Sequence, residues 1–229
     1  MTAGPGARSL GVLAQLRRRY AGTLVHDRDG GLGHATTARY VLDAGGAAVV
    51  LEADAADVGS AAVLCVPEES PEALMISVDL APLDQRTHGL TGDRWRAAHG
   101  APALRTGRAV LATAWIQSVR AGGQVLDASE LAWRNPAAEL AIEGALCRLA
   151  SASPGALAAL CPWAAGSMLP SERARCVGAD QLGIDVLLGR ALARAEFAAP
   201  AWTADGLRAA VMSLVAGGAG AASTTPGGG

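Results

Sequence analysis

Histidine side chains are the residues of this sequence best suited to bind a metal ion or haem iron, because a neutral imidazole offers a nitrogen lone pair. The chain has four, His26, His34, His88 and His99, and none stands in an H-x-x-x-H spacing. His26 and His34 flank a predicted hairpin, where antiparallel neighbours lie about 5 Å apart. His34 is therefore the candidate haem or metal ligand; the alternative is a surface or hydrogen-bonded structural histidine.

Arginine supplies every basic side chain, since the sequence contains no lysine. This excludes a lysine Schiff base and the lysine of a phosphate-binding P-loop. Arg94 and Arg96 lie between His88 and His99, in a predicted loop where a carboxylate or a propionate could be captured. Arg17–Arg19 end the first predicted helix, where the helix dipole favours positive charge. The alternative for these three is an anionic ligand or partner.

Other reactive side chains lack the patterns of known sites. Cys65, Cys147, Cys161 and Cys176 are widely separated and form no C-x-x-C pair, which favours four small buried hydrophobic residues over a zinc site. Gly166-Ser167-Met168 departs from the G-x-S-x-G nucleophile pattern. The five tryptophans are typical of core or interface anchors. No motif demonstrates catalysis.

The first two thirds of the chain are predicted to form one helix followed by a series of strands, and these elements position the residues above. Ser9–Tyr20 has leucines at helical spacing, and the segments after it are predicted strands, with turns at Asp29–Gly31 and Asp43–Gly46 between the first three. The predicted strands are Thr23–His26, His34–Leu42, Ala47–Leu51, Ala61–Val66, Leu74–Leu80, Thr87–Trp95, one or more within Leu104–Val119, and Val125-Leu126.

The C-terminal third has a different pattern. Asn135-Pro136 is a helix-start signal, and Pro154-Gly155 divides the following apolar periodicity into two helices. Ala174–Val177 and Gly183–Leu188 are predicted strands around a turn at Gly178–Asp180. Thr203 is the predicted N-cap of a last helix, which buries leucine and valine side chains. The tail after residue 216 is rich in Gly, Ala, Ser and Thr, which predicts disorder.

This C-terminal layout resembles the small domain of unknown function that follows a split barrel in HugZ-like haem-degrading proteins. The resemblance covers about the last third of the chain. It rests on Arg148-Leu149, Ala156-Leu157, Gly183-Ile184-Asp185, Phe197, Pro200 and Arg208-Ala209.

The resemblance also identifies a difference from that family. Members usually carry two histidines, an asparagine and acidic residues on the helix that contains Arg148–Leu157. Here the same positions read Arg148, Ala150, Ala152, Ser153 and Gly155. The imidazoles that could bind haem iron there are absent from the sequence.

A second resemblance lies in Gly33–Asp43, which is similar to the second strand of flavin-binding split barrels. In that group a small hydroxyl residue lies near the cofactor phosphate, so the matching positions are Thr36, Thr37 and Arg39. With His34 they form the predicted cofactor-binding set. The family's basic segment after the third strand is replaced by Glu52–Asp57, whose three acids would repel a phosphate. This argues against FMN and leaves haem open; the cofactor itself stays unknown.

Composition agrees with a folded chain of one or two domains, since 51% of its 229 residues are hydrophobic. The net charge of −2 argues against nucleic-acid binding. No apolar run reaches the length of about 18 residues typical of a membrane span, and no signal region is evident. We therefore expect a cytoplasmic protein with no membrane partner.

The sequence thus predicts an α+β fold, with a split β-barrel at residues 1–134, a small α/β module at 135–216 and a disordered tail at 217–229. The split-barrel resemblance implies a homodimer with ligands at the interface. The predicted function is a non-enzymatic or degenerate binding protein, for haem, another tetrapyrrole or a protein partner. The alternative is an active haem-degrading or flavin-dependent oxidoreductase that uses another ligand, such as His34.

Overall fold

The protein is described by a computed structural model that covers residues 6–26, 33–43, 45–66, 73–103, 108–132, 142–161, 174–189 and 191–223. The chain divides into two compact units, Met1–Arg134 and Asn135–Gly229. Each unit has its own hydrophobic core, so each is described by itself. The predicted helix start at Asn135-Pro136 lies outside the described residues.

The first unit contains seven strands and three helices within its described ranges. They are α1 (Ala7–Arg18), β1 (Ala21–His26), β2 (His34–Leu42), β3 (Ala48–Asp54), β4 (Ala61–Val66), β5 (Leu74–Pro82), α2 (Gln85–His99), β6 (Ala109–Ala121), β7 (Gln124–Asp127) and α3 (Ala128–Leu131). Gly122 and Gly123 both have positive φ and form the predicted turn between β6 and β7.

Strands β1 to β6 close into an antiparallel barrel. The strand order is β3-β2-β1-β4-β5-β6-β7, and pairing between β3 and β6 completes the ring. That closing register runs from Ala48 opposite Trp115 to Asp54 opposite Ala109. This closed sheet, with helices around it, confirms the predicted α+β class with a split barrel.

Alternation along the strands fills the barrel. On β2, Ala38, Tyr40 and Leu42 belong to the buried core, and α1 adds Leu13 and Leu16 to the same cluster. Successive strand residues point to opposite faces, so the odd-numbered residues of β2 face away from this core. The Tyr40 hydroxyl donates a hydrogen bond of 3.0 Å to the Leu16 carbonyl and thereby fastens α1 to β2.

One predicted element of the barrel is wrong. Thr87–Trp95 was expected as a strand, but the segment belongs to helix α2. The Asp84 side chain accepts a 2.9 Å bond from the Arg86 N–H at the start of the helix, and Gly100, at φ 80°, ends it. Trp95 is fully buried with Val41 and Val50 on the outer face of the barrel, so packing fixes the helix there.

Within its described ranges, the second unit has a three-stranded antiparallel sheet of order β10-β9-β8 and three helices. The two predicted strands are confirmed and a third was missed; the predicted turn at Gly178–Asp180 belongs to β8 instead, and the chain turns at residues 181–182. The elements are α4 (Glu143–Ser151), α5 (Pro154–Ala159), β8 (Ala174–Asp180), β9 (Gly183–Leu188), β10 (Ala191–Glu196) and α6 (Ala204–Ser223).

Helix α6 starts as predicted, since the Thr203 hydroxyl accepts a 3.1 Å bond from the Gly206 N–H. It then continues to Ser223, past residue 217, where the composition predicts disorder to begin. The physical reason is packing: Gly218 is buried and lies so close to the Ala156 backbone that a Cβ would collide with it. The helix therefore includes residues that composition assigned to a tail.

The contact between β1 and β4 gives a stability test. A Cβ on Gly22 would lie 2.5 Å from the Cys65 carbonyl oxygen, so we expect Gly22→Ala to lower the free energy of unfolding by about 1–3 kcal/mol. Urea unfolding followed by circular dichroism measures the change.

Gly11→Ala is the matched control, because Gly11 lies in α1 with nothing within 4 Å of an added Cβ. Alanine is the better helix former by about 1 kcal/mol, so this variant should be as stable as the parent or more so. Equal stability of the two variants would contradict the close approach of β1 and β4.

Candidate functional site

A groove of about 640 Å³ opens on the first unit, where α1 ends, β1 begins and the end of α2 approaches β2. Its volume is in the range of small-molecule sites. The described residues that line it include three arginines, a tyrosine, a threonine and a histidine, and none of them carries a carboxylate. The lining residues are Arg18, Arg19, Tyr20, Ala21, Gly22, Thr37, Arg39 and His99.

Arg39 is the most constrained side chain of the groove. Its Nε and Nη2 donate to the two Glu52 carboxylate oxygens at 2.7 and 2.6 Å, and Nη1 donates to the His99 carbonyl at 2.9 Å. The guanidinium also lies 5.1 Å from the Trp95 ring centroid, within cation–π distance. These contacts hold Arg39 in place and occupy most of its donors.

The Glu52 carboxyl is buried, with its side chain only 4% exposed. Burial acts against its ionisation, but hydrogen bonds from Arg39 and from the Ala103 N–H outweigh it, so the pKa of Glu52 lies below its usual value. The same Glu52 contact raises the pKa of Arg39. The pair is thus a charged link between β2 and β3 rather than a source of protons.

His99 is the imidazole of the groove and ends α2. Its Nε2 lies 3.4 Å from the Tyr40 carbonyl oxygen, and its ring centroid lies 5.0 Å from that of Trp95. Burial lowers the pKa of His99, with the positive charge of Arg39 adding to the effect. The ring is therefore neutral at neutral pH, which is the form that binds metals.

The run Arg17–Arg19 divides between two environments. Arg17 is buried, and its Nη2 donates to the Asp43 carbonyl at 3.4 Å. Arg18 and Arg19 are exposed at the groove. The helix-end position predicted for this run is confirmed, and two of its members also give the groove its accessible positive charge.

The four residues predicted to bind a cofactor divide between two faces of β2. Thr37 and Arg39 line the groove. His34 and Thr36 alternate with them and follow the face of Ala38, which points to the barrel core. The groove therefore brings together two of the four, and the role of each in binding stays a prediction.

His34 lies at the start of β2, directly opposite His26 of β1. The two rings are stacked, with centroids 5.4 Å apart and planes 7° apart, as the hairpin predicted. His26 is buried, and its Nε2 lies 2.9 Å from Asp57 Oδ2. This histidine pair belongs to the β1–β2 hairpin and is not part of the groove lining.

The three acids expected to repel a phosphate have local roles. Glu52 holds Arg39, Asp57 lies against His26, and Asp54 accepts a 3.1 Å bond from the Ala56 N–H. The charge of Glu52 is accordingly offset within the protein by Arg39. The prediction against FMN then depends on a different fact, which is that Arg39 is already engaged.

The predicted capture loop between His88 and His99 does not exist, because both residues lie in α2. They are about 16 Å apart along the helix axis, since each residue adds about 1.5 Å. Arg96 bonds Asp93 at 2.8 Å on the exposed side of the helix. A single anion therefore cannot be held by both histidines.

A second charged centre lies at Asp43, directly after β2. Its Oδ1 accepts a 2.9 Å bond from Thr91 and lies 3.2 Å from His88 Nδ1, and its Oδ2 accepts from the Gly45 N–H at 3.0 Å. Burial opposes ionisation of Asp43, but these three partners lower its pKa to about 2. The cluster ties α2 to the β2–β3 turn.

Across the described ranges, no group of three or more His, Cys, Asp or Glu side chains is arranged to hold a metal ion. None of the helices in those ranges combines the length and apolar character needed to cross a membrane.

No protein-family model matches the chain, and no curated protein is similar to it. Among solved structures, the protein Atu2129 of unknown function from Agrobacterium tumefaciens matches with a TM-score of 0.65 at 17% identity, over 93% of this chain and 98% of that one. This similarity supports the fold alone.

Two further solved structures match at lower TM-scores. A haem-binding protein from Mycobacterium smegmatis has a TM-score of 0.38 at 20% identity, over 96% of this chain and 100% of its own. A candidate pyridoxamine 5'-phosphate oxidase from Listeria innocua has a TM-score of 0.39 at 13% identity, over 51% of this chain and 99% of its own.

The Asp43 cluster predicts an acid-sensitive contribution to stability. The folded-state pKa of about 2 lies below the ordinary 3.8, so the contribution is complete above the ordinary value and is lost as pH falls towards 2. It amounts to about 2 kcal/mol. Asp43→Asn should remove this contribution. The decrease in unfolding free energy between pH 5 and pH 2 should therefore be about 2 kcal/mol smaller in the variant than in the parent.

Urea unfolding at a series of pH values measures this slope. Asp93→Asn is the control, because the Asp93 side chain is 71% exposed and bonds only its helical neighbour Arg96 among the contacts described for it. That variant should follow the parent curve. An Asp43→Asn curve parallel to the parent would show that the carboxylate does not stabilise the fold.

Proposed function

We propose that the chain is a ligand-binding protein of the HugZ-like split-barrel group, and that its groove takes an anionic ligand, with haem or a related tetrapyrrole as the first candidate. The observation that carries the proposal is the meeting of exposed guanidinium groups and a neutral imidazole in one cavity of about 640 Å³. The arginines lie at the end of α1 and the imidazole lies at the end of α2, so neither helix alone supplies both groups.

The positive charge of the groove suits a carboxylate-bearing ligand. Arg18 and Arg19 are both exposed there, and Arg39 binds Glu52 and the His99 carbonyl. Guanidinium groups bind carboxylates through paired, charge-assisted hydrogen bonds. Haem propionates are carboxylates, so Arg19 would hold one of them while Arg39 keeps the wall of the groove in position.

The imidazole of His99 suits a metal-bearing ligand. Bonding of Nε2 to the Tyr40 carbonyl leaves the lone pair on Nδ1, and metal-binding histidines usually donate their second ring N–H to such a carbonyl. A bound haem would supply an iron atom that this imidazole could bind. His99 thus replaces, at another place in the chain, the imidazoles that are absent near Arg148–Leu157.

The proposal includes a homodimer, as the resemblance to ligand-binding split barrels implies. Three apolar side chains on β5 to β7 are exposed: Met75 at 45%, Trp115 at 39% and Val125 at 59%. Such side chains are compatible with a surface that a second copy of the chain covers. Light scattering after size-exclusion chromatography measures the mass, and a monomer at micromolar concentration would contradict this part.

Haemin titration tests the ligand. The Soret band of haemin should shift when haemin binds to the parent protein. Arg19→Gln should raise the Kd for haemin about tenfold by removing one charge-assisted hydrogen bond. Arg8→Gln is the matched control, since Arg8 is an exposed arginine of the same helix outside the groove lining. Its Kd should equal that of the parent.

Histidine variants locate the iron ligand. His99→Ala should abolish the Soret shift of the ligated haem, while His34→Ala should leave it unchanged. The reverse result would move the site to the β1–β2 hairpin, and no binding of haemin by the parent would overturn the haem proposal. Bleaching of bound haem when ascorbate and oxygen are supplied would instead support the haem-degrading alternative.

A further inference from the structure

Two thiols of the second unit lie in contact. Cys147 is on α4 and Cys176 is on β8, and their Sγ atoms are 3.3 Å apart. Both are free thiols in this structure. A disulfide has a bond length near 2.05 Å, so the two sulfur atoms need to approach by only about 1.3 Å.

The backbone around the thiols holds them together. Ser151 lies one helical turn after Cys147, and its Oγ accepts a 3.0 Å bond from the Cys176 N–H. Residues four apart share a face of a helix, so Cys147 and Ser151 both face β8. The pairing of β8 with β9 also shifts register between Cys176 and Gly178, and such an irregularity re-aims a side chain.

The two thiols differ in their access to solvent. Cys147 is half-buried, whereas Cys176 is buried, with 7% of its surface exposed. The contact with Cys147, together with burial, raises the pKa of Cys176. Cys147 is therefore the thiol that a small oxidant reaches, and Cys176 remains protonated beside it.

We propose that Cys147 and Cys176 form a reversible dithiol–disulfide site that is oxidised by hydrogen peroxide. The Cys147 sulfur attacks one peroxide oxygen, the O–O bond breaks, and Cys147 becomes a sulfenic acid as the first water leaves. The Cys176 sulfur then attacks the Cys147 sulfur and the S–O bond breaks. The Cys176 proton leaves with the hydroxyl as the second water.

In this reaction the two thiols lose two electrons and the peroxide gains them. A dithiol reductant reverses it by thiol–disulfide exchange. The new bond ties α4 to β8 and closes a loop of about 30 residues, which restricts the unfolded chain. The oxidised protein should therefore unfold at a temperature about 10 °C higher than the reduced one.

Peptide mapping of the full chain tests the site. The reduced protein is treated with hydrogen peroxide, free thiols are blocked with N-ethylmaleimide, and the product is digested with trypsin. Cleavage at arginine places Cys147 in peptide 135–148, Cys161 in 149–173 and Cys176 in 176–190. We expect the first and third peptides joined and lighter by two hydrogen atoms, and dithiothreitol should separate them.

Variants provide the controls. Cys147→Ser should remove the linked peptide and the rise in melting temperature, whereas Cys65→Ser, at another half-buried thiol, should change neither. Cys65 oxidation as fast as that of Cys147, or separate sulfinic acids on Cys147 and Cys176, would overturn the proposal. If Cys147→Ser does not fold, peptide mapping of the parent protein still tests the proposal by itself. The haemin experiment concerns the other unit and stands or fails separately.

Discussion

The ion pair between Arg39 and Glu52 fixes one wall of the groove. A buried carboxylate is costly unless it is paired, and Glu52 meets its partner directly across the β2–β3 ladder. The remaining donors of Arg39 bind carbonyls at the end of α2, so the same charge that neutralises Glu52 also holds this helix end against the barrel. The other two arginines that line the groove, Arg18 and Arg19, lie at the end of α1.

Much of the fold could be predicted because the barrel strands are short apolar or alternating segments, and glycines mark several of the turns between them. Helix α2 could not be predicted, since its first half contains glycines and threonines, which have weak helix propensity. The burial of Trp95 stabilises the helical form of this segment. Strand β10 was missed because Arg194 interrupts an alanine-rich segment. The structure buries that arginine between Asp180 and Asp185, at 2.6 and 2.9 Å.

The site was predictable in part. Thr37 and Arg39 followed from a short resemblance, and the arginine run was recognised as a helix end that could also face an anion. The position of His99 in the groove depends on α2 bringing residue 99 back to β2, which no spacing in the sequence indicates. The same holds for Cys147 and Cys176, whose contact arises from a helix packed on a strand. Long-range packing of this kind leaves no local pattern.

Closure of the barrel has a consequence for synthesis. Strand β3 must pair with β6, whose partner residues lie about 60 positions later in the chain, and contacts so distant in sequence form slowly. Until β6 has left the ribosome, one edge of β3 is bare, and a bare edge can pair with another nascent chain. Pairing of β3 with β6 is thus the late folding step. Cotranslational aggregation is most favoured before that pairing forms.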